Sequence, residues 1–215
     1  MSDLARQWTY EMWRKAIWSE TRWLGAKVLQ WPTDLFAIQE LLYTTKPDFV
    51  VETGAAAGGS ALFCASIFEL IGHGKVISVD VDTGIARQTL AESRFAQRVT
   101  FIEGSSTSPE VIDQIKGLIG SDSRVHFFLD SDHRAFHVKA ELDIFSQMVK
   151  PGCYIVVFDT NIEDAPEWKD DNPMIAVDQF LQGNDRFAVD KYWEKYQVSF
   201  CRKGFLKRVE GLPSA

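Results

Sequence analysis

The chain has 215 residues, 46% hydrophobic and 25% charged, with a formal net charge of −7. That is ordinary soluble composition, long enough for one sizeable core and without the basic footprint that phosphate neutralisation by a nucleic-acid binder requires. Three distant cysteines, Cys64, Cys153 and Cys201, form no CxxC pair and set aside a disulfide framework or a zinc knuckle. The start MSDLARQWTY lacks the pattern of a signal peptide, and no uncharged run approaches the ~18 residues of a membrane span. A cytoplasmic location is expected.

Residues 3–30 read as helical and carry Trp8, Trp13, Trp18 and Trp23. A spacing of five advances roughly 140° around a helix at each step, so the four rings cannot share one stripe. Some of them must face a subunit contact or a second packed helix, or else form a lid or wall for a flat substrate. The division is therefore an N-terminal Trp-rich extension over 1–33 and one domain over 34–215.

From residue 34 the pattern is regular. DLFAIQELLYTT (34–45) is an amphipathic helix stopped by Pro47, and DFVVETG (48–54) a buried strand. SALFCASIFELI (60–71) is a helix apolar almost all round, KVISVDVD (75–82) a strand, GIARQTLAESRF (84–95) a helix and RVTFIEG (98–104) a strand. Ser108 and Pro109 are placed as N-cap and first helical residue of the next helix. RVHFFLD (124–130) is a strand, 133–149 a helix and CYIVVFD (153–159) a strand. MIAVDQFLQ (174–182) is helical, and FAVDKYW with YQVSF…GFLKRV reads as two strands with a short connection, an antiparallel hairpin closing one edge that Lys207 and Arg208 guard. Continuously apolar strands alternating with helices indicate an α/β fold, a parallel sheet covered on both faces.

In such a sheet, ligands bind beyond the carboxyl ends of the strands. Those ends here carry Glu52 with the turn Gly54-Ala55-Ala56-Ala57-Gly58-Gly59-Ser60, then Asp80 and Asp82, Gly104-Ser105-Ser106, Asp130, and Asp159-Thr160-Asn161. Acidic residues at four of five consecutive strand ends describe one polar rim. Gly54 permits the tight turn, while Gly58 and Gly59 allow close backbone and ligand approach. Ala56 stands where a dinucleotide fingerprint needs its second glycine, and Glu52 would repel phosphate, so an NAD-dependent oxidoreductase is the weaker reading. Asp80 is placed to accept from a ribose diol. A ribosylated, phosphate-free, cationic ligand is S-adenosylmethionine (SAM).

VVETGAAAGGSA followed by VISVDVD resembles motifs one and two of class I SAM-dependent methyltransferases, and FFLDSDH with YIVVFDTN is similar to the metal-binding strand ends of catechol-type O-methyltransferases. PDFVVETGAAAGGSALF, LDSDHRAFHVKAEL and GFLKRV together resemble the cephalosporin hydroxylase/rhamnosyl O-methyltransferase family, over roughly residues 23–209. The resemblance implies a Rossmann-like methyltransferase fold with a seven-stranded, mostly parallel sheet. It implies that Glu52, Gly54, Gly58 and Ser60 line the methionine end of SAM, that Asp80 binds its ribose, and that Ser106 lies near its adenine. It also implies that Asp130 and Asp159 hold Mg²⁺ or another divalent cation, with Thr160 or Asn161 completing the set, and that the acceptor is a sugar or other small hydroxylated compound.

Two carboxylates converging on one point repel unless a proton or cation neutralises them. A cation there would also acidify a nearby hydroxyl. His133 stands three residues past Asp130, suited to take a proton at neutral pH, with Asp132 and His137 as alternative bases and Asp132 as an alternative ligand. Trp8 to Trp31 and Trp168 offer aromatic surfaces for a sugar or ring, and the N-terminal helices are expected to form a homo-oligomer contact. A methyltransferase-like domain that only binds a partner through its Trp-rich arm is the non-enzyme rival. The acidic segment 161–174 is expected to border the acceptor site.

Overall fold

The structure is a computed structural model describing residues 2–210; the last five residues of the expected 34–215 domain lie outside the described residues. A seven-stranded sheet forms the centre. Its strands in chain order are β3 (Phe49–Thr53), β4 (Lys75–Asp80), β5 (Val99–Glu103), β6 (Val125–Leu129), β7 (Tyr154–Val157), β8 (Phe187–Val189) and β9 (Phe205–Arg208). They lie in the order β5-β4-β3-β6-β7-β9-β8. The five from β5 to β7 are mutually parallel, and β9 is antiparallel to both of its neighbours. Chain order reverses at β3, which places the ligand crevice beyond the ends of β3, β4 and β6.

Alternating strand residues feed two cores, which is why the parallel strands read as unbroken apolar runs. Val50, Val76, Phe128 and Val156 pack on the side of α2 (Pro32–Thr45) and α3 (Gly59–Ile71). Val51, Ile77, Phe127 and Ile155 pack on the side of α5 (Pro109–Ile119), α6 (Ala135–Phe145) and α7 (Pro173–Gln182). Ser108 does cap α5, its hydroxyl accepting from the amide of Val111. The shorter α4 (Gly84–Leu90) follows β4. Two helices are shorter than periodicity suggests: α4 stops at Leu90, and α6 begins only at Ala135, after a loop in which the Arg134 amide donates to Asp132 Oδ1 at 3.0 Å.

Two readings need correction. Residues 3–30 are not one helix. They form α1 (Asp3–Arg14), a 3₁₀ turn (Ile17–Glu20) and a hairpin of β1 (Arg22–Trp23) and β2 (Ala26–Lys27). Ala16 takes a left-handed conformation and ends the helix, and the two-residue loop Leu24-Gly25 has φ of 48° and 88°, the double positive φ of a hairpin turn. The expected antiparallel C-terminal hairpin does close one edge, but its connection is long and the strand carrying Lys207 and Arg208 is not the outer one. β9 lies inside, between β7 and β8, after a 3₁₀ turn (Lys191–Glu194) and a long connection. Lys207 and Arg208 therefore sit on an interior strand, with Arg208 over the Phe187 ring at 5.4 Å, and β8 is the edge.

The connection is fastened to the first turn of α2. Thr33 Oγ1 donates to the Val198 carbonyl at 2.6 Å, and the Phe200 amide donates to Asp34 Oδ2 at 2.8 Å. Burial pushes the Asp34 carboxyl up to about 7. Among the described residues no helix is long and apolar enough to cross a membrane.

Candidate active site

A cavity of about 560 Å³ opens beyond the strand ends. Its walls include Gly54 and Ser60 of the glycine turn, Asp80 at the end of β4, Ser106 after β5, and Asp130, His133 and Asp159 after β6 and β7. Asp80 is held by two backbone donors, the Ala56 amide at 3.0 Å and the Asp82 amide at 3.2 Å. Each carboxylate oxygen keeps a lone pair for a further donor such as a diol. At the β5 end, Ser106 Oγ lies 3.2 Å from His137 Nε2, and His137 is paired at 3.5 Å with the fully buried Glu141. The hydrogen bond to Glu141 raises the His137 pKa.

At the other end Asp130, His133 and Asp159 each bring one ligand atom within 4.8 Å of the others. Sheet register does most of this. Leu129 pairs with Val157, so Asp130 and Asp159 leave neighbouring strands almost side by side. Asp159 takes φ 52°, a left-handed conformation that turns the chain into the 3₁₀ segment Thr160–Asp164. Aspartate tolerates this conformation better than most non-glycine residues, and here it redirects the chain at the strand end. Burial, and then the charges of Asp159 and Glu52, hold the Asp130 carboxyl well above the usual range, and burial raises Asp159 too. Two such carboxylates favour either a shared proton or a cation between them. His133 Nε2 stands 3.4 Å from Asp159 Oδ2, and its ring meets Trp168 edge-on with centroids 6.1 Å apart.

Not every expected residue arrives. Thr160 is fully buried and its hydroxyl faces the carbonyls of Phe200 (3.1 Å) and Arg202 (2.6 Å), so it anchors the β8–β9 connection rather than joining the carboxylates. Asn161 Oδ1 is buried and has no hydrogen-bond partner among the described residues. Asp132 lines the cavity but is clasped by Arg134, which pulls its carboxyl down to about 2, poor credentials for a base. Glu52 is not in the cavity wall. It is buried behind the turn, accepts from Ser78 Oγ at 2.6 Å, and is pushed by burial up to about 7. Gly58 is also outside the wall: a Cβ there would come 2.9 Å from the Cα of Ala86, so its closeness serves helix packing.

The chain matches the model of the family described as rhamnosyl O-methyltransferase/CmcI over residues 15–209. This chain belongs to the rhamnosyl O-methyltransferase/CmcI family. A rhamnosyl O-methyltransferase of Mycobacterium leprae is 36% identical over 199 residues, spanning 89% of this chain and 85% of the relative. One from Mycobacterium bovis is 34% identical over 152 residues, which cover 70% of this chain and 61% of the relative. Among solved structures, CmcI with Mg and SAM superposes at a TM-score of 0.70, with 19% identity, over 98% of this chain and 88% of its own. An O-methyltransferase from Bacillus cereus in complex with SAH superposes at 0.59, with 17% identity, over 87% and 83%. These structural likenesses are ones of fold, the class I methyltransferase fold.

As a member of the rhamnosyl O-methyltransferase/CmcI family the protein is an O-methyltransferase, and its N-terminal segment forms part of the cavity. Trp18, Lys27, Val28 and Leu29 line the wall. Trp18, Trp31 and Trp8 connect through Phe200 in one aromatic cluster, with Trp31–Phe200 centroids 5.4 Å apart and Trp8–Trp31 centroids 5.7 Å apart. Trp23 instead enters the core against Phe63, its indole donating to Ser66 Oγ at 2.9 Å. The segment lies so close that a Cβ on Gly59 would fall 2.1 Å from the Lys27 carbonyl oxygen. Gly59→Ala is therefore expected to push the segment off the turn at an overpacking cost of about 1–3 kcal/mol. Titration calorimetry with S-adenosylhomocysteine should then show roughly ten- to a hundredfold weaker binding; unchanged affinity would mean that the wall plays no part.

Proposed function

We propose that the protein transfers a methyl group from SAM to a hydroxyl of a sugar, with a divalent cation at Asp130 and Asp159, beside His133. The observation that carries this reading is that one cavity joins the glycine turn and Asp80 at one end to the converging carboxylates at the other. SAM would lie along the turn with its ribose on Asp80 and its adenine toward Ser106. A cation held by Asp130 and Asp159, with Asn161 Oδ1 as a further oxygen donor, would make a neighbouring hydroxyl more acidic. His133 would take the proton as general base, oriented by Asp159 Oδ2. Trp18 and Trp168 offer flat apolar surfaces for the face of a sugar ring. The names of the mycobacterial relatives support a rhamnosyl acceptor. Residues 1–33 would act as an extension that walls the site, and a homo-oligomer formed through it is part of the same proposal.

The test is transfer of a labelled methyl group from SAM to a panel of rhamnosides and other glycosides, with Mg²⁺ or Mn²⁺ and again after chelation. Label on a sugar hydroxyl, lost on chelation, is the expected result. Failure of the purified protein to bind S-adenosylhomocysteine would overturn the reading, and chelator-resistant transfer would overturn its cation half.

A further inference from the structure

Gln30 belongs to the N-terminal segment, yet its side-chain amide donates to Asp130 Oδ2 at 2.6 Å, across 100 residues of sequence. It is 4% exposed, so its amide is shielded from bulk solvent. Leu29 immediately before it holds φ 60°, a conformation leucine adopts only when its surroundings impose it. That kink sets Leu29 in the wall of the large cavity, while Gln30 lies in a second, interior cavity of about 20 Å³ that also touches Glu52, Ser60 and Asp130. Trp31, buried against Phe200, pins the next position. The backbone on either side of Gln30 is thus held in place, and burial together with the bond to Asp130 confines its amide.

We infer that Gln30 is a positioning residue that aims the Asp130 carboxylate at the cation, so that docking of the N-terminal segment and cation binding strengthen each other. The inference rests on the cation reading of Asp130 and Asp159. A carboxylate has about four lone-pair sites. An amide fixed on Oδ2 restricts rotation and leaves the remaining sites for the cluster, as hydrogen-bond partners behind metal ligands commonly do. Linkage then requires reciprocity: if the docked segment tightens cation binding, the cation must tighten docking by the same factor.

The experiment uses the full chain saturated with S-adenosylhomocysteine, comparing wild type with Gln30→Met, which keeps the length and loses the donor. Mn²⁺ titration followed by electron paramagnetic resonance is expected to show about ten- to a hundredfold weaker binding in the variant, with S-adenosylhomocysteine affinity kept. Hydrogen exchange on the wild type supplies a second readout that needs no mutation. Mn²⁺ should slow exchange of the amides of residues 26–31, and this protection should vanish in Gln30→Met. Equal Mn²⁺ affinity in the two proteins, or no cation-dependent protection in wild type, would overturn the role of Gln30 while leaving the cation reading intact. No Mn²⁺ binding by wild type would overturn both.

Discussion

Replacing Asp130 by asparagine is expected to abolish divalent-cation binding and to slow methyl transfer by about a thousandfold or more, at least ~4 kcal/mol at 1.36 kcal/mol per tenfold. The folded protein should nevertheless become no less stable. Asparagine retains an oxygen to accept from Gln30 but carries no charge to set against Asp159 and Glu52, which together with burial hold the Asp130 carboxyl well above the ordinary range. A carboxyl whose folded pKa is raised favours folding while protonated and loses that contribution as pH climbs from its unfolded value, near 3.9, toward its folded one. In the cation-free protein the asparagine variant should therefore melt at or above the wild-type temperature at neutral pH, with the advantage shrinking toward pH 4. Thermal unfolding in chelator across that range, together with Mn²⁺ titration, checks both halves. A variant that still binds Mn²⁺ as wild type does would remove Asp130 from the cation site.

His133→Gln is expected to lower kcat by about a hundredfold to ten-thousandfold, the usual worth of a positioned general base. It should leave affinity for Mn²⁺ and for S-adenosylhomocysteine nearly unchanged. His133 lies within ligand spacing of both carboxylates, so the two roles separate by measurement. A base is missed only in turnover, whereas a ligand is missed in the cation titration. Single-turnover transfer with saturating cation isolates the step. A parallel collapse of Mn²⁺ affinity would reassign His133 as a ligand.

The polar rim was legible because the strands are short, apolar and end abruptly in charge: Asp80, Asp130 and Asp159 all line the cavity where such ends should lie. Residues whose roles depend on contacts distant in sequence were not. Nothing in the stretch around Gln30 announces a partner at Asp130, and the order of β8 and β9 depends on pairings with β7 that no local pattern encodes. The N-terminal segment misled for a different reason. It read as one long helix although its tryptophans could not share a stripe, and a local signal against it, Gly25 after Leu24, marks a hairpin turn. Thr160 follows a carboxylate at a strand end, as a ligand would, but the β8–β9 connection folds back to claim its hydroxyl. Glu52 shares the motif of the turn but points to the other face of the sheet, the side of Val50 rather than Val51.

At Gly54 a Cβ would fall 2.0 Å from the carbonyl oxygen of Asp130, and φ is +90°. The two main chains touch there with no side chain between them. If the methyl donor sits on the turn and the acceptor at Asp130, as proposed above, the spacing between their seats is a dimension of the scaffold itself, fixed by peptide groups and unable to drift as surrounding side chains change. On the proposed reading, in which the acceptor packs against Trp168, a pocket rebuilt for a different sugar would inherit the same reach between donor and hydroxyl. Selectivity can diversify around a stroke length that stays constant.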